Sequence, residues 1–513
     1  MRLPRPDWAA LGTALACAAA YYAAYSRWEI WPLVLLPMAV AVRVVQDATE
    51  PGAAFRRLWF GAWLCLLAAL YWIEYPVRVY GGVAPGLSAG PLALLVAYSA
   101  LFTAIPGAMA VALVGPGVRR GLLYVALWTG AELWRERLLT GFGWCSPGYA
   151  FSGSPLLVQA ADVVGVSGLM ALAGAILVLA RTSDRRWRAL AAALLLLWLG
   201  YGWLRRAAVA ETAAAQPRLS VGVVQGNIDQ WAKWDARYRN YTVNAYATLT
   251  TAVVESKGPV DLVVWPETAM PFYFQQPSRL RSAVEDVARE HRTHLITGIP
   301  ASERPAGKRE SRNRAVLIGP DGAILDTMDK QHLVPFGEYV PLKKILGFLD
   351  KMVEGMGDFT PGADDGLLTM TAPAGTINLG MAICYEILFG AEMRRRLTEA
   401  DLAVVISNDA WFGPTDSSYQ QAAMARVRAV ENRISLIRSA NTGVSLWIGP
   451  DGQFHRQTAI FTAAAWRDEV PVGRMGAPQR WLAPLWESLL TLGLLLSLGL
   501  LARRRMVVRR QVG

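Results

Sequence analysis

Little in this 513-residue chain is charged: Asp, Glu, Lys and Arg make up 18% of it, against about a quarter in an ordinary soluble domain. Cysteine and histidine are also scarce, at four each. Four cysteines do not make a disulfide framework. Neither residue type falls in a Cys-x-x-Cys or His-Glu-x-x-His spacing, so a metal site has no support. Gly-x-Gly-x-x-Gly and the phosphate-loop pattern are both missing, and no cofactor is expected. The 46 glycines and 29 prolines follow no period, which excludes collagen-like and low-complexity chains. With 53% hydrophobic residues, disorder is excluded too.

What the chain does have is apolar length. Runs long enough to cross a bilayer, which takes about 20 residues, lie near 8–26, 28–46, 56–75, 92–114, 120–137, 160–181 and 187–205, with one more at 481–502. Those at 28–46 and 120–137 are broken by polar residues. Arg2 and Arg5 precede the first run as in a signal peptide, but more apolar runs follow at once, which argues for an uncleaved first span. Ala14-Leu15-Ala16-Cys17 only faintly resembles a lipoprotein cleavage site. The net charge of +11 suits either a nucleic-acid binder or a membrane protein with basic inner loops. Numbering the loops alternately from an inside N-terminus puts 16 arginines inside and 6 outside (Arg27, Arg78, Arg135, Arg137, Arg205 and Arg206). The positive-inside rule then places both termini in the cytoplasm and the middle of the chain on the outer face. The segment 217–480 carries 29 basic and 29 acidic residues, so the whole excess lies outside it. The charge therefore records topology, and no nucleic-acid partner is expected.

The expected organisation is 1–216 with transmembrane helices 1–7, 217–480 as an outer domain, and 481–513 with helix 8 and a basic tail. In the middle segment, strand-like runs alternate with amphipathic stretches: Leu219–Val224, Asp261–Trp265, His294–Ile299, Ala315–Ile318, Thr376–Ile383 and Leu402–Ser407. Gly-Pro-Asp-Gly occurs at 319–322 and again at 449–452, each time between apolar runs, as in a hairpin turn. The pattern is that of a mixed α/β domain of about 260 residues, large enough for a substantial core.

Three clusters in this domain follow strand-like runs, where α/β domains place their sites. Val263-Val264-Trp265-Pro266-Glu267 sets a carboxylate just past a strand; alone it reads as a surface turn acid. In Lys330-Gln331-His332-Leu333-Val334-Pro335-Phe336-Gly337-Glu338 a lysine and a glutamate flank an apolar stretch. Its ammonium suits a developing oxyanion or a leaving group, or is simply solvated. Gly380-Met381-Ala382-Ile383-Cys384-Tyr385-Glu386 ends a strand on a thiol, and nucleophilic use of a thiol needs a nearby base or cation. His332 is the histidine inside a cluster; His291, His294 and His455 read as surface residues.

Glu, Lys and Cys in that chain order resemble the triad of the nitrilase, or carbon-nitrogen hydrolase, superfamily. Trp-Pro-Glu, Lys-x-His-Leu-Val-Pro-Phe-Gly-Glu, Cys-Tyr-Glu and Ser407-Asn408-Asp409-Ala410-Trp411-Phe412-Gly413, with the span arrangement, resemble its membrane branch, the apolipoprotein N-acyltransferases. One departure is visible: Gln420-Gln421 stand before Met424-Ala425-Arg426, where the family often carries Gln-His. The resemblance implies an α-β-β-α sandwich outside the bacterial inner membrane, joined to about eight transmembrane helices. It implies transfer of a fatty acyl chain from a membrane phospholipid to the α-amino group of a diacylglyceryl-cysteine at an apolipoprotein N-terminus. Glu267 would be the general base, Lys330 the oxyanion holder and Cys384 the nucleophile of a ping-pong thioester pathway. Trp234, Glu338, Tyr385 and Glu386 match supporting positions, and a monomer is expected.

Substrates that carry acyl chains leave the bilayer at a cost of about 0.8 kcal/mol per CH₂, so the site should open at the membrane surface. Two apolar loops suit such a mouth, with ordinary core packing as the alternative: Met270-Pro271-Phe272-Tyr273-Phe274, and the stretch from Ile345 through Phe359, whose Gly347, Gly355 and Gly357 favour the lipid reading there. Cys384 should be a free thiol and not bridged to Cys145. The competing readings are a membrane-tethered hydrolase with the same triad, and a transporter or scaffold. Against the latter, ionisable residues within the spans are few, Asp162 being the clearest.

Overall fold

A computed structural model describes residues 8–304, 309–340 and 359–512. Most of the second apolar loop, including Ile345, Leu346, Gly347, Phe348, Leu349, Met352 and Met356, lies outside the described residues. The chain divides into two compact units. One holds the described residues up to 74 with 85–205 and 478–512; the other holds 75–84 and the described part of 206–477.

The first unit is helical. Four described helices are long and apolar enough to cross a membrane: Ala89–Leu113, Leu157–Ala180, Arg185–Ala214 and Gln479–Arg504; a fifth is added if the broken pair Pro51–Ala69 and Tyr71–Val79 counts as one. The other expected spans are helical over Trp8–Tyr25, Leu35–Asp47 and Val118–Arg135. Leu35–Asp47 has only 13 residues, because Trp31–Val34 ahead of it forms a 3-10 turn around Pro32. The buried acids Asp162 and Glu132 of these helices are paired. Asp162 accepts from Tyr201 Oη and Arg205 Nε, both at 2.7 Å, and buried Arg135 and Glu132 meet at 2.6 Å. Arg120 caps helix ends by donating to Val114 O and Ala48 O, both at 2.6 Å. Pairing is what an apolar medium demands of ionised groups.

The second unit holds two six-stranded sheets. The first contains β1 (Arg218–Gln225), β2 (Leu262–Val264), β3 (His294–Glu303), β4 (Glu310–Ile318), β5 (Ile324–Asp329) and β12 (Ala464–Pro471). The second contains β6 (Leu367–Ala372), β7 (Gly375–Ile383), β8 (Leu402–Ser407), β9 (Leu436–Ala440), β10 (Leu446–Ile448) and β11 (Phe454–Gln457). Their orders are β12-β1-β2-β3-β4-β5 and β11-β10-β9-β8-β7-β6. In each sheet three central strands run parallel, β1-β2-β3 and β7-β8-β9.

Side-chain alternation builds the layers. Leu219, Val221 and Val223 join Leu402, Val404 and Ile406 in one core, while Ala403 and Val405 face another with Met393 and Ala425 from helices Gly390–Arg396 and Ser417–Asn432. Val224 and Val263 pack with Val243 and Val284 of helices Arg239–Lys257 and Arg279–His291. The central strands are thus covered on both faces, which is why they read as continuous apolar runs.

Both Gly-Pro-Asp-Gly segments close hairpins, β4–β5 and β10–β11, with Gly319 N donating to Ala323 O at 2.8 Å and Gly449 N to Gln453 O at 2.9 Å. The final glycines, Gly322 and Gly452, sit at φ +79° and +82°, conformations that favour glycine.

Two expectations need correction. Met270, Phe272 and Phe274 do not form an exposed mouth: all three are buried in the core shared with helices Arg239–Lys257 and Arg279–His291, where their apolar area leaves water. His294 is not a surface residue either. It opens β3, is buried, and lies 3.1 Å from Asp261 O through Nδ1. His455, by contrast, is exposed.

Candidate active site

Glu267, Lys330 and Cys384 all lie just beyond strand ends: Glu267 after β2, Lys330 directly after β5 and Cys384 directly after β7. All three side chains are at least nine-tenths buried. The turn bearing Glu267 fits against β3 because residue 298 is glycine; a Cβ there would collide with Thr268 N and Glu267 Cα. Gly298 N and Met270 N bond across this contact, to Pro266 O at 3.2 Å and from Met270 to Gly298 O at 3.2 Å.

Polar side chains tie the three loops together. Lys330 Nζ lies 3.0 Å from Glu338 Oε1 and 3.4 Å from Glu267 Oε1, so one ammonium serves two carboxylates. Asn313 Nδ2 donates to the same two oxygens, at 2.7 Å to Glu267 and 3.0 Å to Glu338. The other oxygen of Glu267 accepts from Asn408 N at 2.8 Å. Glu338 Oε2 caps its own turn through Val334 N at 2.8 Å.

Cys384 sits at φ +52°, in the left-handed region that costs a non-glycine residue roughly 1–2 kcal/mol. Glu386, two residues on and fully buried, holds that turn. Its carboxylate accepts from Ile383 N (2.8 Å), Gln331 N (2.8 Å), His332 N (3.1 Å) and the Arg396 guanidinium (2.7 and 2.8 Å). One buried anion therefore clamps the Cys384 turn to the segment that starts at Lys330. Tyr385 packs edge-on to His332 and Phe389, with ring centroids 5.8 and 5.2 Å away. Trp234 is partly buried, with an indole N–H that has no partner. Among the described residues, no hydrogen bond joins Trp234 to Glu267, Lys330 or Cys384.

Burial pushes the Cys384 thiol up to about 12, and the nearby Glu267 charge adds to the rise while Lys330 opposes it. Burial works against the Lys330 ammonium, yet Glu338, then Glu267 and Cys384, outweigh it and hold its proton more tightly than usual. For Glu386, too, burial opposes the charge, and Arg396 more than offsets it, keeping the carboxyl below its ordinary value. The resting site thus has a protonated thiol, a fixed cation and carboxylates beside it. A thiol in this state attacks only when a base takes its proton as the bond forms. All four cysteines are free, Cys145 and Cys384 included.

Sequence reasoning did not single out Asn313, Arg396 or Lys233, and it quoted Asn408 without giving it a part. Asn408 carried the same signal as Glu267 and Cys384, a polar residue just past a strand. Arg396 ends the run Arg394-Arg395-Arg396, which looks solvated, yet it is only 1% exposed. Asn313 lies inside β4 between two arginines and carries no sequence signal.

A thiol, an ammonium and a carboxylate thus stand together at strand ends of the two sheets, in a segment that defines a class: the family model described as Carbon-nitrogen hydrolase matches residues 220–463. Among solved structures, the nitrilase-superfamily protein Nit3 of Saccharomyces cerevisiae is similar at 17% identity and TM-score 0.38, over 52% of this chain and 94% of its own. An amidase from Nesterenkonia sp. is similar at 19% identity and TM-score 0.39, over 53% of this chain and 95% of its own. The helical part narrows the assignment: the model Apolipoprotein N-acyltransferase N-terminal domain matches residues 17–179. The apolipoprotein N-acyltransferase of Geobacter metallireducens is 39% identical over 83% of this chain and 82% of its own length. That of Pseudomonas putida is 34% identical over 98% of both. The chain belongs to the apolipoprotein N-acyltransferase family and is an N-acyltransferase enzyme.

Proposed function

We propose that the protein N-acylates apolipoproteins by a two-step acyl transfer through Cys384. The observation that supports this best is the shared Lys330 ammonium, 3.4 Å from Glu267 and 3.0 Å from Glu338, beside a thiol that stays protonated at rest. Glu267 takes the thiol proton as Sγ attacks a phospholipid ester carbonyl, and Lys330 holds the tetrahedral oxyanion. The intermediate collapses to a Cys384 thioester, and the lyso-phospholipid leaves with the proton from Glu267. The α-amine of a diacylglyceryl-cysteine then attacks the thioester and Glu267 accepts the amine proton. Collapse forms the amide and returns that proton to the thiol. Glu338 keeps Lys330 charged and placed, Glu386 holds the Cys384 turn, Tyr385 shapes the wall beside the thiol, and Trp234 lines the substrate path.

The same reading carries the topology expected from the arginines: eight spans, both termini cytoplasmic, residues 217–480 outside the inner membrane between helices 1–7 in 1–216 and helix 8 in 481–513, and a monomer. The test uses the detergent-solubilised full chain with phospholipid alone, followed by mass spectrometry. An acyl adduct on Cys384, discharged by added diacylated apolipoprotein and not by water, is expected. No adduct, in a preparation that acylates apolipoprotein, overturns the thioester pathway. Discharge by water alone identifies a hydrolase.

A further inference from the structure

A second lysine lies under the same carboxylate. Lys233, on the short helix Gln230–Trp234, has no solvent-exposed surface, which is rare for a lysine without a function or a full set of partners. Its Nζ donates to Asn408 Oδ1 at 3.1 Å. The Asn408 side chain is a hub: Oδ1 also accepts from Asn441 Nδ2 at 3.2 Å, and Nδ2 donates to Gln230 Oε1 at 2.8 Å. The backbone N–H of the same asparagine is the one that holds Glu267 Oε2 at 2.8 Å. The Lys233 segment, the end of β8 and the base are therefore linked in series.

We propose that Lys233 is a positioning residue for the acyl transfer: its ammonium fixes Asn408, and through it the orientation of Glu267. The inference rests on the reading of Glu267 as the base. Lys330 cannot serve this end alone, because Glu338 is its nearer partner. Two charged groups act on Lys233, Glu267 and Asp229; the latter also caps the helix through Trp231 N at 2.9 Å and Ala232 N at 3.1 Å. Burial brings the Lys233 ammonium down to about 7, with Glu267 and then Asp229 opposing the fall. The positioning cation is therefore present below neutral pH and lost above it.

The experiment is the rate of acyl-adduct formation on Cys384 from phospholipid, measured from pH 5.5 to 9 for the wild type, Lys233→Met, Asn408→Ala and the double variant. The wild-type rate should fall as pH rises through about 7 to 8. In Lys233→Met that limb should vanish and the rate below pH 7 should drop at least about 10-fold, as expected when a base is misplaced. The double variant should be no slower than Asn408→Ala. Lys233→Gln, which keeps a donor to Asn408 but not the charge, should lose the limb and recover part of the rate; it replaces Lys233→Met if that variant does not fold. A Lys233 variant with wild-type rate and limb, or effects that multiply in the double variant, would overturn the proposal. Absence of adduct in the active wild type refutes the thioester reading instead, so the two failures are distinguishable.

Discussion

Replacing Glu386 by Gln tests how the nucleophile is held. The change is nearly isosteric and opens no cavity, but it removes the charge that Arg396 faces, with both side chains fully buried. Breaking a buried pair from one side costs about 3–5 kcal/mol. The new amide nitrogen also confronts a backbone donor in either orientation: Ile383 N at one position, or Gln331 N and His332 N at the other, where each now meets an acceptor. At about 2–4 °C per kcal/mol for a unit of this size, a loss of about 4 kcal/mol lowers the melting temperature by about 8–16 °C. Cys384 depends on this clamp for its left-handed backbone, so adduct formation should fall at least about 10²-fold even well below the melting point. The pH dependence has a definite sign. The Glu386 carboxyl is held below its ordinary value, so its contribution is complete above about pH 4.3, the unperturbed glutamate value, and is lost as pH falls through the folded value. The difference in melting temperature between wild type and variant should therefore shrink in acid. Replacing Glu386 and Arg396 together by Met should regain more than half of the stability, since no charge is left alone. A fall of less than about 3 °C with an unchanged adduct rate would refute the clamp.

Three further outcomes follow from the geometry. Lys330→Met should slow adduct formation by about 10²–10³-fold, the usual loss for one oxyanion donor, with much less effect on phospholipid KM; a pure KM change would argue against the oxyanion role. The Cys384 thiol, pushed up to about 12, should show no thiolate absorbance up to pH 9 in a wild-type minus Cys384→Ser difference spectrum; a thiolate at neutral pH would mean a preformed ion pair in place of a base-assisted attack. Gly298→Ala should destabilise the two-sheet unit by about 1–3 kcal/mol, as overpacking does. It should also slow the reaction, because the added methyl meets the Glu267 backbone; wild-type kinetics would show that the turn adapts.

The strand runs, the two hairpin turns and the positions of Glu267, Lys330 and Cys384 were legible because each is a local property. Apolar continuity marks strands covered on both faces, Gly-Pro-Asp-Gly encodes its own reversal, and a polar residue after such a run lies at a strand end. β5, β6 and β9 to β12 were not read, and neither was the closure of the first sheet by β12 against β1. Their residues are partly exposed or their runs short, and β12 pairs with a strand nearly 250 residues earlier. The Met270–Phe274 stretch stayed open between lipid mouth and core, because composition does not distinguish an aromatic loop that meets lipid from one that fills a core; the fold puts it in the core. Arginines that count toward charge in the sequence, Arg120 and Arg396 among them, are buried structural donors in the fold.

By itself, the sequence determined the chemistry available: which nucleophile, cation and carboxylate are present, and that they follow strands in an α/β unit attached to apolar helices. Only the tertiary structure decided how those groups are charged and held. Burial, with Asn313 of β4, Glu338 after β5 and Asn408 after β8, sets the proton on Cys384, the sharing of Lys330 and the partners of Glu267. Those are sums over contacts between residues far apart in the chain, and no local pattern contains them.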